Sequence, residues 1–564
     1  MSILGKIADL SFWDSVKDDP RFAPMIDNLK KNYDECCIGE IETTKFSKFR
    51  LFKDTGDRSL YQETFFKRQH RLYTMAVMCF IYQDNKEYLK LLEDTIWEIC
   101  DLYVWALPAH ISNIEKNDNC ELDLDATTMA YALAIISHTL KNKLHPLIIS
   151  RIEAEIDRRI IEPFMKQRWH WEYRRNNWTS VCAGATGCVF MLMRPDLYPL
   201  VENRINFCMA DYIDEYKDDG VCVEGPGYWS YGYTYYLEYA ILLKEFSNGH
   251  TDLLKGEKIA SISTFLQKLF LDKHVIVNYG DCGVNVVMPG GFMFTLKNLF
   301  PNEVLLPPDD VLEYNVHYFP AFLRAFTEYN DSMLAHDFSQ NDEYYMKDCG
   351  WYTRRCKKYG FAARGGSNGE SHNHNDVGSF ILSSNDKQII CDIGTRPYTR
   401  QYFEDEYRYT FLETSSRGHN VPIINGKYQG NFRGTKSYTS MENGAFCVDF
   451  REVYGMPELK KLIRRYANDD CGVTITDEFS YDGPFTFTER LVTLIEPTIK
   501  DGEIFIENVK ISFDSALCEA SYEKDAHACT LNPDGSVAIS QDVYLISLKV
   551  KNPKDSFSFR IDCE

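Results

Sequence analysis

The stretch HPLIISRIEAEIDRRIIEPF, residues 145–164, decides how the first half of the chain folds. Its apolar side chains recur at three- and four-residue spacing, which predicts a helix with one buried stripe. The residues of that stripe are Ile149, Ile152, Ile156 and Ile160. The same periodicity extends over residues 71–105 and 125–140. A succession of amphipathic helices of this kind predicts a helical toroid or solenoid.

The hydrophobic period changes from about 3.6 to about 2 near residues 310–345. The proline-rich stretch PNEVLLPPDD, residues 301–310, precedes the change, and short β-type runs such as FSFRID, residues 557–562, follow it. Many such runs without intervening helices predict an antiparallel sandwich. We therefore expect an α+β protein with a helical (α/α) toroid at residues 1–335 and a β-sandwich at residues 345–564.

The composition is that of a folded protein with an acidic balance. Hydrophobic residues make up 44% of the 564 residues and charged residues 26%, which argues against extended disorder. The net charge of −21 argues against a nucleic-acid partner, because phosphate binding needs a basic face. For the same reason, an acidic oligosaccharide or polysaccharide would need a locally basic cleft.

The first twenty residues contain no apolar core long enough for a signal peptide, so we expect a cytoplasmic protein. No window approaches the roughly 20 apolar residues of a membrane-spanning helix, so we expect no membrane partner. The eighteen cysteines form no CxxC pairs, which predicts reduced thiols rather than disulfides or cysteine-based zinc sites. The sequence leaves the oligomeric state open.

The segment RRNNWTSVCAGATG, residues 174–187, places two amides and a tryptophan before a run of small residues. Asn176 and Asn177 can donate hydrogen bonds to a carboxylate, and Trp178 can offer an apolar face to a sugar ring. The alternative is a helix cap followed by close helix packing, which this pattern alone favours.

The segment DDGVCVEGPGYWSYGYTYY, residues 218–236, contains five tyrosines after a turn of glycine and proline. That turn places Tyr228 at the start of the element that follows, where its phenol can face a cleft. Most of the other tyrosines are expected to pack in the core.

The segment RGGSNGESHNHNDVGSF, residues 364–380, precedes a predicted strand. His372 and His374 alternate, so their side chains would share one face if the segment were extended. Asp392 and His419 follow on later elements, and histidine nitrogens with a carboxylate form a ligand set that zinc prefers. The alternative is a polar loop whose histidines only form hydrogen bonds.

Together these three segments resemble the heparinase II/III-like polysaccharide lyases, which combine an α/α toroid with a C-terminal β-sandwich. The resemblance covers most of the chain and rests on the NNW segment, the EGPGY segment and the HxHxD, DxGT and HN series in that order. It implies that Tyr228 and His372 are catalytic and that Asn177 engages the carboxylate of a uronic acid.

The resemblance also implies a divalent metal at His374, Asp392 and His419, zinc first with manganese or calcium as alternatives, in a structural role. Several relatives carry histidine where this chain has Trp178, so neutralisation of the carboxylate would need His372 or a nearby arginine. The candidate substrate-binding residues are Asn176, Trp178, Arg175, Tyr231, Trp229 and Arg364.

The implied reaction is β-elimination, in which the C5 proton of a uronic acid is removed and the oxygen at C4 leaves as an unsaturated uronate forms. Negative charge builds on the carboxylate, so hydrogen-bond donors must stabilise it. A tyrosine base would also need positive or donor groups near its phenol. Glycosaminoglycans are the first expected substrates, and alginate-type polyuronates are the second.

Two other classes remain open from the residues alone. Helical toroids also host glycoside hydrolases, which need a pair of acidic residues. The segment at residues 218–236 offers Asp218, Asp219 and Glu224 for this role. A non-catalytic glycan-binding protein would use the tryptophans as stacking platforms and the metal only for structure.

Overall fold

A computed structural model describes residues 3–114, 120–432, 434–532 and 536–564. Helices occupy most of the chain up to residue 327, and strands occupy most of the remainder. The α-helices in chain order are α1 (Leu10–Val16), α2 (Ala23–Asn32), α3 (Phe46–Thr55), α4 (Ser59–Ile81), α5 (Lys86–Cys100), α6 (Leu124–Thr139), α7 (Pro146–Ile156), α8 (Glu162–Lys166), α9 (Asn177–Met193), α10 (Tyr198–Glu215), α11 (Pro226–Phe246), α12 (Glu257–Ser263), α13 (Gly290–Leu299), α14 (Phe319–Thr327) and α15 (Asp405–Arg408).

The strands begin with a two-stranded parallel pair inside the helical region and continue from residue 342. In chain order they are β1 (Met288–Pro289), β2 (Leu312–Glu313), β3 (Asp342–Met346), β4 (Trp351–Arg355), β5 (Gly360–Arg364), β6 (Phe380–Ser384), β7 (Lys387–Ile390), β8 (Ile423–Ile424), β9 (Tyr438–Glu442), β10 (Ala445–Asp449), β11 (Leu459–Asn468), β12 (Gly472–Tyr481), β13 (Phe487–Thr493), β14 (Thr498–Lys500), β15 (Glu503–Ile506), β16 (Val509–Phe513), β17 (Cys518–Leu531), β18 (Val537–Val550) and β19 (Ser556–Cys563).

The stretch 145–164 forms α7, a π-type turn at Asp157–Ile161, and α8. One apolar stripe is buried, as the periodicity predicts, but Ile149 is only half-buried and Ile148 takes its place. The buried isoleucines of the stripe are Ile148, Ile152, Ile156 and Ile160. These residues are spaced four apart in the sequence. The wider π-type turn keeps Ile160 on the same face as Ile156. Within the described residues, no helix combines the length and apolar character needed to cross a bilayer.

Helices α9 and α11 pack closely because α9 carries small residues. A Cβ on Gly184 would lie 2.6 Å from the carbonyl oxygen of Tyr235, and the hydroxyl of Ser180 donates to the carbonyl oxygen of Gly232 at 2.7 Å. These contacts advance in the same direction along both helices. The helices therefore run parallel, and their first residues, including Asn177 and Tyr228, lie at the same end of the pair.

The later strands form three antiparallel sheets. Their orders are β3-β4-β5-β6-β7, β14-β15-β16-β19-β12-β11-β10-β9 and β17-β18-β13-β8. In β19, Phe557, Phe559 and Ile561 are all buried on one face, as the alternation in FSFRID predicts.

The five-stranded sheet lies between the helical region and the eight-stranded sheet. Phe361 of β5 packs against Tyr466 of β11, with ring centroids 5.3 Å apart. On the opposite side, a Cβ on Gly360 would lie 1.9 Å from the carbonyl oxygen of Leu271, so sheet and helical region meet without a gap. Strands β5 and β6 are therefore buried along their whole length. The loop that joins them emerges at the junction with the helical region.

Candidate active site

The loop between β5 and β6 carries His372 to the start of α11. The ring of His372 stacks on that of Tyr228, with centroids 4.1 Å apart and planes 22° apart. The hydroxyl of Tyr228 pairs with that of Tyr398 at 2.8 Å. His372 has a left-handed φ of 54°, so the segment is not extended there, and strand alternation does not relate it to His374. The structure thus brings two predicted catalytic residues into direct contact.

Two glycines with positive φ permit this contact. Gly225, with a φ of 94°, precedes α11, and a Cβ there would lie 2.4 Å from the carbonyl oxygen of Tyr279. Gly280, with a φ of 76°, would place a Cβ 3.2 Å from the carbonyl oxygen of His372. Only glycine fits both the conformation and the space at Gly225. The EGPG turn therefore fixes where α11 begins and, with it, the position of Tyr228 in the first turn of that helix.

Asp281 is a buried carboxylate that holds the histidine-rich loop. Its Oδ2 accepts from Nδ1 of His372 at 2.7 Å, and its Oδ1 accepts from Nε2 of His374 at 3.1 Å. The guanidinium of Arg408, at 2.9 Å, and the hydroxyl of Tyr402 also donate to Oδ1. Burial alone would raise the pKa of Asp281, but the hydrogen bonds from both histidines and the charge of Arg408 hold that pKa well below its ordinary value.

These bonds assign the protons of both rings. An ionised carboxylate only accepts, so Nδ1 of His372 and Nε2 of His374 carry hydrogen. The other nitrogen of His372, Nε2, is left as a proton acceptor, and the side chain is 16% exposed. Sequence reasoning missed Asp281; its one signal is a lone carboxylate between glycines in NYGDCG, residues 278–283.

Asn177 and Glu224 form the neighbouring wall. Asn177 is 2% exposed, and its Oδ1 has no hydrogen-bond partner among the described residues. Glu224 is 6% exposed, its Oε1 is likewise unpartnered, and its carboxyl lies by the backbone N–H of Asn177 and the side chain of Ser371. Burial raises the pKa of Glu224, although hydrogen bonds from the side chain of Ser371 and the backbone N–H of Asn177 lower it. A buried carboxyl whose protonated form is favoured by burial therefore stands beside a buried amide.

Trp178 lies half-buried among cationic and imidazole groups. The guanidinium of Arg174 lies 5.5 Å from its ring centroid. The rings of His110 and His170 lie 4.9 and 5.6 Å away. Tyr231, also half-buried, lies one turn beyond Tyr228 on α11. Trp178 and Tyr231 are thus partly accessible, and the stacking role of Trp178 stays a prediction.

The two arginines expected to help Asn177 do not face the site. Arg364 is fully buried and pairs with Asp376 at 3.1 Å and Glu370 at 3.0 Å, so its charge is already used inside the protein. Arg175 is half-exposed and pairs with Asp211 at 2.8 Å on the surface. Both guanidiniums are thus already engaged by carboxylates of this protein.

Two other candidate substrate-binding residues have structural roles. Trp229 is fully buried, and its Nε1 donates to the carbonyl oxygen of Ile262 at 3.1 Å. Asn176 caps α9, because its side chain accepts from the backbone N–H of Trp178 at 3.2 Å. For Asn176 the helix-cap alternative is correct, and for Trp229 core packing is correct.

The three predicted metal ligands converge in the buried part of the same region. Nδ1 of His374, Oδ2 of Asp392 and Nδ1 of His419 are buried without partners among the described residues. One ligand atom from each side chain lies within 4.8 Å of the others. Nε2 of His419 donates to the carbonyl oxygen of Glu413 at 2.9 Å, which leaves Nδ1 as the free nitrogen. Three orphaned donor atoms facing one another fit a metal ion.

The chemistry of the donors favours zinc among the expected metals. Two imidazole nitrogens and one carboxylate suit a borderline transition metal, whereas calcium prefers six or more oxygens. Burial lowers the pKa of His419 despite the charge of Asp392, so its imidazole is neutral and able to bind. Asp281 then supports His374 from outside the site, in the manner of carboxylates that orient metal-binding histidines.

Comparisons with known proteins matched one segment of the sequence and the overall fold. Residues 340–488 match the family described as heparinase II/III-like, C-terminal. Comparison with curated protein sequences gave no match. Heparinase III is 12% identical with a TM-score of 0.62, over 96% of this chain and 92% of its own. Heparan sulfate lyase from Pedobacter heparinus is 12% identical with a TM-score of 0.55, over 97% and 85%. Chondroitin AC lyase from Streptomyces coelicolor, solved with chondroitin sulphate, is 10% identical with a TM-score of 0.53, over 95% and 82%.

The matched segment is similar to the C-terminal domain of the heparinase II/III-like family, and the solved structures that share the fold are polysaccharide lyases. The match to residues 340–488 confirms the predicted resemblance to the heparinase II/III-like proteins over that segment. The solved structures, at 10–12% identity, confirm the fold: a helical toroid followed by antiparallel sheets. The matched segment contains His372 and all three candidate metal ligands.

Proposed function

We propose that this protein cleaves uronic-acid-containing oligosaccharides or polysaccharides by β-elimination, with glycosaminoglycan-type chains as the first substrates. The observation that carries the proposal is the stacked pair of Tyr228 and His372, with Asp281 behind the histidine and Asn177 and Glu224 beside it. Candidates for the base, the acid and the donors to a carboxylate thus lie together, and the proposed reaction requires all three.

In this mechanism the amide of Asn177 and the protonated form of Glu224, which burial favours, donate to the carboxylate of the uronic acid. Nε2 of His372 takes the C5 proton, and the electron pair of the C5–H bond becomes the C4–C5 double bond. The C4–O4 bond breaks, and O4 takes the proton of the Tyr228 hydroxyl. The proton on His372 returns to Tyr228 through solvent, which restores the site.

The protonation state of Tyr228 decides which residue acts as the acid and which acts as the base. Burial and the charge of Asp281 raise the pKa of Tyr228 well above its ordinary value, so the resting side chain is a neutral phenol. A neutral phenol can donate a proton but cannot accept one at its oxygen with useful strength. We therefore assign the acid role to Tyr228 and the base role to His372.

Zinc bound by His374, Asp392 and His419 would supply a cross-link between the histidine loop and the later elements. The residues that bind, orient and move protons in the proposed reaction lie outside this ligand set.

The hydrolase alternative finds less support. Asp218 is exposed, and the carboxylate of Asp219 accepts the backbone N–H groups of Asp348 and Cys349 at 3.0 and 3.1 Å. Of the three acids expected for that reaction, only Glu224 lies at the site. The other carboxylate at the site, Asp281, already accepts from both histidines, Arg408 and Tyr402, so it is not free to act as the second member of the pair that hydrolysis needs.

A panel of uronate polymers and oligomers tests the proposal. It should include hyaluronan, chondroitin, heparan and alginate fragments, with product followed by the ultraviolet absorbance of the unsaturated uronate. We expect absorbing product from at least one glycosaminoglycan. Reducing ends without absorbance would establish hydrolysis instead, and saturable binding without product would establish a binding protein.

A further inference from the structure

Arg58 and Arg174 are two arginines that no carboxylate of the described residues neutralises. Every other arginine among those residues lies within 4.0 Å of a carboxylate oxygen or donates to a backbone carbonyl oxygen. Acids are abundant in this chain, whose net charge is −21. Two cations left without an acid are therefore free to bind an anionic ligand.

Arg174 lies over the ring of Trp178. Its side chain is exposed, and its guanidinium is 5.5 Å from the ring centroid. The next residue, Arg175, has a left-handed φ of 59°, which is unfavourable for a residue with a side chain. Arg175 pairs with Asp211 at 2.8 Å on the surface, whereas Arg174 faces the indole. The strained turn thus separates a paired arginine from a free one.

Two histidines also flank the ring of Trp178. The exposed ring of His170 lies 5.6 Å away, and that of His110 lies 4.9 Å away. Nδ1 of His110 donates to Oδ2 of Asp123 at 2.7 Å, which leaves Nε2 as an acceptor. That Nε2 lies 3.4 Å from Nη2 of Arg58. His110 therefore joins Arg58 to Trp178 by direct contacts.

The contacts of Arg58 hold its guanidinium and leave one donor group free. The side-chain oxygen of Gln62, in the amide orientation that satisfies both of its polar atoms, accepts from Nε and Nη2 at 2.8 Å each. Nη1 has no hydrogen-bond partner in the part of the chain that the structure describes, and the residue is only half-buried. The side chains gathered in this way are named the Trp178 cluster and are Arg58, His110, His170, Arg174 and Trp178.

The acids next to the cluster do not engage its two arginines. Asp123 caps α6 by accepting the backbone N–H of Ala126 at 2.8 Å, and its other oxygen accepts from His110. Asp125 lies beside Asp123 and His110. Burial and the charge of Asp123 raise the pKa of Asp125 well above its ordinary value, which favours the neutral form. The charge of Arg58 is therefore not cancelled by a neighbouring carboxylate.

The Trp178 cluster adjoins the candidate active site. Trp178 directly follows Asn177 in the first turn of α9. A Cβ on Gly232, one turn beyond Tyr228 on α11, would lie 3.3 Å from Cα of Asn177. With a uronate bound at Asn177, the neighbouring sugar of the chain is the part of the substrate that would meet Trp178.

We propose that the Trp178 cluster binds an anionic sugar next to the uronate that is cleaved. The indole packs against the sugar ring, and the guanidiniums of Arg174 and Arg58 bind its sulfate or carboxylate group. The placement of this sugar rests on the proposed function. The proposal deepens that function by naming the substrate class, which is a chain whose sugar beside the uronate carries a negative group.

Three polymers separate a sulfate from a carboxylate as the bound group. They are chondroitin sulfate, the same polymer after chemical desulfation, and a 4-linked polyglucuronate. Affinity is measured by calorimetry on the full chain carrying Tyr228→Phe, so that substrate is not consumed. We expect at least one charged polymer to bind about tenfold or more tightly than desulfated chondroitin. Preference for the sulfated polymer alone identifies a sulfate site, and preference for polyglucuronate alone identifies a carboxylate site.

Arg174→Ala and Arg58→Ala, each added to this protein, test the cluster directly. Each should remove most of the preference while changing the affinity for desulfated chondroitin by less than about threefold. The matched control is Arg168→Ala, an exposed arginine of the same region that pairs with Glu172 at 3.0 Å. It should keep the full preference, because its charge is already engaged.

Equal affinity for all three polymers would overturn the proposed site, and so would a preference that survives in both variants. If Arg58→Ala fails to fold, the exposed Arg174 decides the question by itself. A wild type that yields no unsaturated product would overturn the proposed function. Charge-dependent binding that is lost in Arg174→Ala would still support the anion site in that case, so the two failures are distinguishable.

Discussion

His372 and His374 donate hydrogen bonds to opposite oxygens of one carboxylate, that of Asp281. The left-handed backbone at His372 turns its ring toward Tyr228, while His374 keeps Nδ1 for the candidate metal site. One buried acid from the helical region therefore fixes the proton positions of a candidate base and of a candidate metal ligand. The candidate catalytic and metal-binding functions of the loop use different histidines, but both depend on the same carboxylate.

Substitution of Asp281 by Asn tests this joint role. Asparagine keeps the shape but can donate through its amide, so it no longer requires protons on Nδ1 of His372 and Nε2 of His374. We expect kcat to fall about 10²- to 10⁴-fold, as for other carboxylates that set a histidine tautomer. Metal affinity should fall about 10- to 100-fold. Asp211→Asn, which breaks only the surface pair with Arg175, is the control, and equal activity of both variants would contradict the role.

Substitution of Tyr228 by Phe tests the proton donor. Removal of the hydroxyl leaves the stacking on His372 but no acid for the leaving oxygen, so we expect formation of unsaturated product to fall at least about 100-fold. Tyr236→Phe, on the same helix but bonded to the carbonyl oxygen of Leu253, is the matched control and should remain active. Near-normal product release by the Tyr228 variant would show that the assigned role is wrong.

Glu224 provides a test through stability as well as activity. Its folded pKa is raised above the ordinary 4.5, so the folded state binds the proton more tightly than the unfolded state. The stabilisation that this proton provides is complete below pH 4.5 and is lost as the pH rises through the folded pKa. Glu224→Gln carries no such charge, so its Tm should exceed that of the wild type by a margin that grows over this range.

The activities of two Glu224 variants then test whether a hydrogen bond donated by this side chain to the substrate carboxylate is needed. Glutamine still donates through its amide, so Glu224→Gln should keep kcat within about tenfold of the wild type. Glu224→Ala cannot donate and should lose about 10²-fold or more. If both variants lose activity equally, the carboxyl acts as an ionised base rather than as a neutral donor.

The motifs of the sequence predicted the neighbourhood of the site but not its electrostatics. Tyr228, His372 and the three candidate metal ligands lie in short local patterns, so they were accessible from the sequence and its resemblance. Asp281 lies 91 residues from His372 along the chain. Such pairs depend on how helices and sheets dock, which no local pattern encodes.

The predictions for Arg175, Arg364 and Asn176 lacked the same physical information. Arg175 and Arg364 have the right charge and lie within the right motifs, but each charge is already engaged by a carboxylate. A sequence reports which side chains are cationic and not which are already paired. The same holds for Asn176, whose amide is used by the helix that it caps.

Metal removal tests the site at His374, Asp392 and His419. Elemental analysis of the purified protein should find about one zinc per chain, and a strong chelator should lower Tm because the ion binds only the folded state. His419→Ala should lose the metal, since it removes one of three ligands. His138→Ala, a substitution of a helical histidine outside this group, should retain it. Metal-free wild type with an unchanged Tm in added zinc would contradict the site.

The arrangement of Tyr228 and His372 also predicts which uronate epimer is cleaved faster. Their rings are stacked 4.1 Å apart and nearly parallel, so acid and base approach the sugar from the same side. In a 4-linked glucuronate the C5 proton and O4 lie on the same face of the ring, whereas in the C5 epimer, iduronate, they lie on opposite faces. An adjacent acid and base reach both groups only in the first case.

We therefore expect kcat/KM to be at least about tenfold higher for an unsulfated glucuronate–glucosamine polymer than for the same polymer after C5 epimerisation. The comparison is direct because elimination removes the C5 stereocentre, so both substrates yield the same unsaturated chromophore. Faster cleavage of the epimerised polymer would require acid and base on opposite faces, which one stacked pair cannot provide. Tyr228 or His372 would then have to act with a different partner across the ring.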